Sequence, residues 1–586
     1  LENGILQGAR LVLDQQLQLA ANQIDRREGR YSQLYKTVAT SCQVCGDRPP
    51  LWEIRAQRVV HDDAEQQLYF DNATFRVRGV PVFWLPRMRL PDPARERATG
   101  FLIPEQRNTT QLGSGIKVPY FITLGDHRDI TLTPYLSPET RTLELIYRQA
   151  FANGDFSARA AISDDTLEPE DRSYIFAEGS FALRNDYQLR FDIEAVSDPA
   201  YLLDYGYSDK DRLDSAISLL RVTDTTLFQT RLTYYQTLRD DESNASLPPI
   251  VADLGYEARI FPNFGGTLTV SGGVDTAYRY SNTDGPEGRD VTRAGGQVDW
   301  RDSWVVPAGF VFSAETGLRA DIYNVEDDSA FEQNDIRMVP FVQASLRWPL
   351  AKTTQSGTSH LIEPTIAIGW ADTFGGTAPN EDSTRSELDP ANLFDLSRFS
   401  GEDAVETGAQ AALGLSWTRA GAVGTTSTLT FGRIVRDRAI DGFTRSSGLD
   451  GSQSDWLIAG QLVIPGGFLV EAQSLVDDDR GVNRATGRIA WQNEIVSLSA
   501  DYIWQAKDAA EDRPVTISEW TLDTDLFLSA AWSVNLDARY DVVEDRPVRG
   551  GIGVQWRNEC VTVDVSASRR FTSSTTVEPT TTYGLS

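Results

Sequence analysis

"DYQLRFDIEAV", residues 186–196, places Tyr187, Leu189, Phe191, Ile193 and Ala195 on one side of an extended chain. Gln188, Arg190, Asp192 and Glu194 fall on the other side. Successive side chains of a strand point to opposite faces, so this period-two pattern predicts a strand with one apolar and one polar face. "WSVNLDARYD" (532–541) and "VTVDVSAS" (561–568) repeat it, as do "TLELIYRQAF" (142–151), "DFSARAAI" (155–162) and "TLTVSGGVDTAYRY" (267–280). Amphipathic helices are hard to find anywhere.

Two kinds of connection separate these strands. Asn153-Gly154 and Asn185-Asp186 are tight turn signals. "RDDESNASLPP" (239–249), "NVEDDSAFEQND" (324–335), "APNEDSTRSELDP" (378–390) and "VDDDRG" (476–481) are long and acidic. Short turns at one rim and long polar loops at the other are the pattern of a transmembrane β-barrel. A soluble sandwich array or β-helix alternates in the same way, because its second face is also polar. Three features favour the barrel: aromatics recurring toward strand ends, charges on nearly every inner face, and no domain linker from about residue 110 onward. At ~18 residues per strand and connection, the expected fold is all-β, a large antiparallel barrel of about 26 strands.

Composition bounds the function. The 586 residues carry 55 Lys+Arg against 84 Asp+Glu, a net charge of -29 that repels nucleic acid. No apolar run reaches the roughly 18–20 residues of a membrane helix, which leaves a barrel as the route across a bilayer. No G-x-x-x-x-G-K-[ST] phosphate loop occurs. His127 and His360 lack a Ser or Asp constellation, so no catalytic residue and no enzyme activity are expected. The chain opens "LENGILQGARLVLDQ", without an initiator Met and already strand-like, and is read as a processed or trimmed product. At the other end, "TTVEPTTTYGLS" (575–586) stops where a closing strand is expected to be running still.

Residues 1–98 differ from the rest. "LQLAANQIDRREGRYSQLYKTVAT" (17–40) and "WEIRAQRVVHDDAEQQLYFDNATFRVRG" (52–79) resemble each other at an offset of roughly 35 residues. Leu17, Leu19 and Ala21 align with Trp52, Ile54 and Ala56. Repeated strand pairs that cannot cover their own apolar face predict a stacked β domain. Its apolar side, with Leu17, Leu19, Trp52, Ile54, Phe75 and Val77, is either a lipid groove or an ordinary core face.

Cys42 and Cys45 form a C-x-x-C in "TSCQVCGD", and the one other cysteine is Cys560. Zinc needs four ligands, and no second pair is present; His61, His127 and His360 are not spaced as ligands. A thioredoxin-like motif needs a βαβ unit that the sequence lacks. A clamp between the two ends remains, conditional on an oxidising compartment.

"GVPVFWLPRMRLPDP" (79–93) with "TGFLIP" (99–104), and "NLFDLSRFSGEDAVETG" (392–408), are the most specific stretches. On them the chain resembles the LPS-assembly outer-membrane proteins, the LptD (OstA/Imp) family, with features in the same order along essentially its whole length. The resemblance implies a periplasmic β-jellyroll at 1–98, N-terminally truncated, akin to LptA/OstA domains. It implies an outer-membrane barrel at 99–586. It implies lipopolysaccharide as substrate, an LptE-like lipoprotein inside the barrel and an LptA-like periplasmic bridge protein. It also implies a lateral gate between first and last strands, weakened by Pro119 and Pro134 in "GIKVPYFITLGDHRDITLTPYLSPET" (115–140), read as the opening hairpin. A proline lacks the N–H that a ladder bond needs.

The family carries interdomain disulfides between these two regions, and this chain has cysteines for one. Cys560 lies beside the expected turn Arg557-Asn558-Glu559 at the periplasmic rim. Cys42 is the better match to the family position, Cys45 a close rival, and which one pairs with Cys560 stays open. No metal or organic cofactor is expected. Divalent cations bridging lipopolysaccharide phosphates to Asp240, Asp241, Glu242, Asp477, Asp478 and Asp479 are the one inorganic contribution considered, against a merely solvated acidic rim. A porin or substrate-specific transporter is the alternative; it leaves the repeat at 1–98 and the two prolines without a role.

Overall fold

The structure is a computed structural model that describes residues 2–14, 16–42, 50–95, 97–167, 169, 171–479, 481–572 and 577–586. Two antiparallel sheets account for nearly all of it. The first is a meander in chain order of Gly4–Leu13, Leu17–Arg27, Tyr31–Thr40, Trp52–Asp62, Gln67–Val77 and Val80–Pro91. Alternation in each strand sends one side inward, where Leu19, Ile24, Leu34, Ile54, Val59, Leu68 and Phe70 form one core. A lone sheet can bury such a core only by curling on itself. The two halves of the repeat hold equivalent places: Leu19 and Ala21 of the second strand, and Ile54 and Ala56 of the fourth, lie in the same core.

The second sheet closes on itself. Its 30 segments make 26 strands, because four strands (100–109, 113–123, 334–353 and 359–375) are each broken once. The first and last strands pair to complete the ring, and a closed ring is the form a sheet needs to span a bilayer interior. Leu318, Ile322, Ile336, Met338 and Val342 stand exposed on the outer wall. Their neighbours Asp321, Tyr323 and Arg337 turn inward and are buried. The strand over Tyr187–Val196 shows the same division: Ile193 is exposed outside, while Glu194 and Val196 are buried inside. Among the described residues no helix is long and apolar enough to cross a membrane.

The rims differ as expected. The turn before Tyr187 is tight because Asn185 and Asp186 adopt φ of 60° and 63°, a conformation that these short polar side chains tolerate. On the opposite rim run the long connections 197–211, 238–249, 279–289, 376–407 and 437–455. One of them contains a short helix, Tyr201–Tyr205, that alternation gives no means of detecting. The chain leaves the first sheet at Pro91 and enters the barrel at Gly100, on the short-turn rim. Arg97 fastens this passage there, donating to the Asp126 carbonyl and pairing with Asp129.

Candidate functional site

The barrel closes between its first strand (100–109) and its last, Thr580–Leu585. Four register pairs join them, from Thr582–Thr109 to Leu585–Gln106, and the Thr110 N–H adds a bond to the Thr581 carbonyl at 3.1 Å. The structure corrects the placement of the prolines. Residues 113–123 and 128–136, which carry Pro119 and Pro134, are the second and third strands. The first strand escapes the period-two reading because Pro104 breaks it and "EQRNT" (105–109) has no apolar alternation.

Each proline acts on a ladder near the seam rather than on the seam itself. The Pro119 carbonyl accepts from Leu102 at 2.9 Å, and the Pro134 carbonyl accepts from Val118 at 3.2 Å. In an antiparallel pair a residue's N–H and C=O face the same neighbour. The donor missing at Pro119 therefore belongs to the ladder between strands one and two, and that at Pro134 to the ladder between two and three. Between the registered pairs Phe101–Tyr120 and Glu105–Lys117, three residues (Leu102, Ile103, Pro104) oppose two (Val118, Pro119). This two-against-three mismatch is a local bulge in the ladder.

Cys560 sits in the turn between Arg546–Arg557 and Thr562–Arg570, the strands two and one before the last. Asn558 shapes that turn, its side-chain oxygen accepting from the N–H groups of Cys560 (2.9 Å) and Val561 (2.8 Å). Cys560 is disulfide-bonded to Cys42, with 4.9 Å between the Cα atoms. Cys45 lies outside the described residues. Cys42 itself is buried and held in place by a bond from its N–H to the Thr40 hydroxyl, which in turn donates to the Trp52 carbonyl.

The six residues read as a groove divide into three groups. Leu17, Leu19 and Ile54 are buried in the core of the curled sheet. Trp52 and Phe75 are partly buried at its margin, stacked at 6.0 Å, with Phe83 stacked on Phe75 at 5.1 Å. Val77 is exposed, next to the exposed run Val80, Val82, Phe83 and Trp84. Register places Trp52, Val77 and Val80 side by side, at the Cys42 end of the sheet. An apolar, aromatic margin is thus bonded to the rim of the barrel.

Two long loops fold into the lumen. In loop 376–407, Leu388 and Leu393 are fully buried and Phe399 stacks on Phe443 of loop 437–455 at 4.3 Å. Gly414 and Gly432 on the barrel wall make room for it: a Cβ on either would lie 2.5 Å from Phe394 or Leu393. Charges complete the attachment. Arg293 reaches Asp275 (2.8 Å), Asp403 (3.0 Å) and Asp382 (3.3 Å), and Arg337 reaches Asp321 (2.8 Å) and the Glu402 carbonyl (2.8 Å). Arg398 and Arg436 share the carboxylate of Glu406, all three buried. The stretch 392–408 singled out in the sequence is therefore the second half of this lumenal loop and the first residue of the next strand; its position inside the barrel is not readable from residue order.

Loop 197–211 lies behind the seam. Tyr205 bonds to Asp165 and Thr140 (both 2.6 Å), Tyr201 to Ser163 (2.6 Å), and fully buried Arg172 to Asp198 (2.7 Å) and Asp204 (3.0 Å). It also touches both sides of the closure. Arg107 of the first strand donates to the Tyr205 carbonyl, and Asp209 pairs with Arg549 of the third-last strand at 2.5 Å. Sequence patterns single out none of these residues, because they come together only when the ring closes.

The acidic rim is partly neutralised by the chain's own arginines. Glu242 pairs with Arg212 and Arg239, Asp478 with Arg433 and Asp477 with Arg445. A hydrogen bond from Arg212 holds the Glu242 carboxyl down at about 2. Among the described residues no cluster of three or more His, Cys, Asp or Glu is placed to hold a metal ion.

Comparison with known sequences identifies the family. The sequence model of the family LPS transport system D matches residues 170–532, which span most of the barrel and the whole of loop 376–407. The LPS-assembly protein LptD of Idiomarina loihiensis is 22% identical over 567 residues, covering 91% of this chain and 71% of that protein. Its counterpart from Yersinia pestis is 30% identical over 194 residues, 30% of this chain and 24% of that protein. That of Xylella fastidiosa is 27% identical over 202 residues, 33% of this chain and 25% of that protein. The chain belongs to the LPS transport system D family, LptD, as an outer-membrane β-barrel whose N-terminal sheet lies in the periplasm.

Proposed function

We propose that this chain is the outer-membrane lipopolysaccharide translocon, which receives the lipid at the N-terminal sheet and releases it through the seam between strands 100–109 and 580–585. One observation carries this reading. The N-terminal sheet is attached to the barrel at two points that straddle the seam: through the backbone into the first strand, and through Cys42–Cys560 to the turn before the second-last strand. A lipid on the aromatic margin of Trp52, Phe75 and Phe83 then meets the barrel where the ladder is shortest. The acyl chains can pass from that margin into the bilayer while the sugar passes through the opened seam, so neither part has to cross a medium that rejects it. Pro119 and Pro134 soften the two ladders beside the seam and let the first strands swing. The domains act as 1–98 for receipt and 99–586 for release.

The lumen supports a partner as well. Loop 376–407 covers one part of the wall, and beyond its edge at Pro390 Arg488 and Asp501 stand beside a cavity of about 610 Å³ lined also by Glu519 and Thr521. A polar, uncovered wall suits an LptE-like lipoprotein, and an LptA-like bridge protein suits delivery to the N-terminal sheet. No group for chemical catalysis is required, since the work is transfer of a lipid between environments.

The test is to lock the seam. Asn108 and Tyr583 are register partners, so Asn108→Cys with Tyr583→Cys places a second disulfide across it. Lipopolysaccharide arrival at the cell surface is expected to stop when this bond forms. Undiminished arrival with the bond fully formed would overturn the reading.

A further inference from the structure

The lumenal side of the seam encloses a cavity of about 500 Å³ whose charge opposes that of the chain. Among the described residues, the inward-facing Arg107, Arg549 and Arg570 line it against a single carboxylate, Asp209, in a protein of net charge -29. Elsewhere in the lumen, arginines are matched to carboxylates: Arg293 has four acidic neighbours, and Arg398 shares Glu406 with Arg436. Here only Arg549 is matched, to Asp209 and Asp537, and Arg107 and Arg570 have no ion pair among the described residues. The Nε groups of Arg107 and Arg570 are buried and have no hydrogen-bond partner among the described residues. The Nη2 group of Arg570 donates to neutral acceptors, the Glu578 carbonyl at 2.7 Å and the Thr580 hydroxyl at 3.4 Å. A buried donor left without an acceptor is costly, and a guanidinium fork finds its best acceptor in an oxyanion.

We infer that this cavity binds the phosphate-bearing saccharide headgroup of a lipid, with Arg107, Arg549 and Arg570 as the anion ligands. The inference rests on the seam as the exit path and names what the seam would recognise. The volume is too large for inorganic phosphate alone and falls in the usual range for small-ligand sites. Ser568, Thr580 and Thr582 on its wall supply hydroxyl partners for sugar oxygens.

The site also couples to closure. Arg107 belongs to the first strand, whereas Arg549 and Arg570 belong to the third-last and second-last. The site is therefore complete only across the seam. Arg549 is also paired with Asp537 of its neighbouring strand at 3.3 Å, while Asp209, near the end of loop 197–211, pairs with it from the cavity lining. An incoming phosphate competes with Asp209 for Arg549, and winning it releases the loop from the far side of the seam.

The experiment uses the full chain in detergent, its folding checked by heat-modifiable migration, and calorimetric titration with de-acylated bisphosphorylated diglucosamine. Comparison ligands are the unphosphorylated disaccharide, glucose 6-phosphate and inorganic phosphate. Arg549→Gln and Arg570→Gln are each expected to weaken binding by roughly tenfold or more, the scale of one charge-assisted contact. Asp209→Asn is expected to tighten it, an opposite change that misfolding does not produce. Equal binding of the phosphorylated and unphosphorylated disaccharides, unchanged affinity in both arginine variants, or weaker binding in Asp209→Asn would overturn the site. Equal binding of glucose 6-phosphate or inorganic phosphate would overturn its assignment to a lipid headgroup. Because the probe is soluble and binding is read on the purified chain, a negative result here leaves the seam-locking result standing, and the reverse also holds.

Discussion

The wall made by Asp290–Val306 and Phe310–Glu326 and the wall that closes the barrel are built from the same kind of ladder, with very different holding power. The first pair shares 17 register positions, the closing pair four. The long wall is braced from inside by Arg293, Arg337 and the buried loop 376–407, whereas the ladders beside the seam lose donors at Pro119 and Pro134. A closed barrel distributes its stability unevenly, and the uneven place is where the periplasmic sheet is tied on. The contrast teaches that opening needs no flexible barrel, only one poorly bonded joint in a stiff one.

The sharpest way to break this contrast is to lock each wall in turn. A disulfide from Asn108→Cys with Tyr583→Cys is expected to abolish lipopolysaccharide delivery. One from Val298→Cys with Leu318→Cys, register partners in the long wall, is expected to leave delivery unchanged. Equal effects from the two would erase the distinction between the walls.

Next in size is the tether. Cys560→Ser frees a loop spanning 518 residues, whose closure is worth about 6 kcal/mol on chain-entropy scaling. The variant barrel is expected to form, but protease should cut between the two sheets and delivery should fall sharply. The brace comes third. Glu406→Gln leaves Arg398 and Arg436 buried without their shared carboxylate, a loss of about 3–5 kcal/mol for a broken buried pair. Loop 376–407 should then leave the wall, seen as raised conductance in a planar bilayer, while the seam keeps its behaviour.

Much of this architecture is legible in residue order. The alternation at 186–196, 532–541 and 561–568 marks true barrel strands, since a wall one residue thick must put an apolar side chain outward at every second position. What escapes is the first strand, broken at Pro104, and with it the position of the prolines. Their true position sets the size of the next effect. Pro119→Ala and Pro134→Ala each restore one N–H, worth about 0.5–1.5 kcal/mol, to ladders one and two strands from the seam. Delivery should slow modestly with either and more with both, and hydrogen exchange of Leu102 and Val118 should slow in parallel.

The smallest effect is electrostatic and confined to the outer rim. Glu242 is depressed to about 2 by its hydrogen bond from Arg212, against about 4.3 for a free glutamate. A depressed carboxyl stabilises above the unfolded value and loses that contribution as pH falls through the folded one. Protease resistance of loop 238–249 should therefore hold from neutral pH to about 4.3 and decline toward pH 2, with the long wall unaffected over the same interval.

Residue order alone determined the class of fold and the cysteines available to join its two sheets, because strand alternation and residue identity are local properties. Only the closed ring decided which strand is first, that Cys42 meets Cys560, and that Arg107, Arg549 and Arg570 face one cavity across 463 residues of chain. Those facts depend on where the last strand returns to the first. No stretch of sequence contains that information by itself, because a ladder bond is made by two segments and the seam by the two most distant ones.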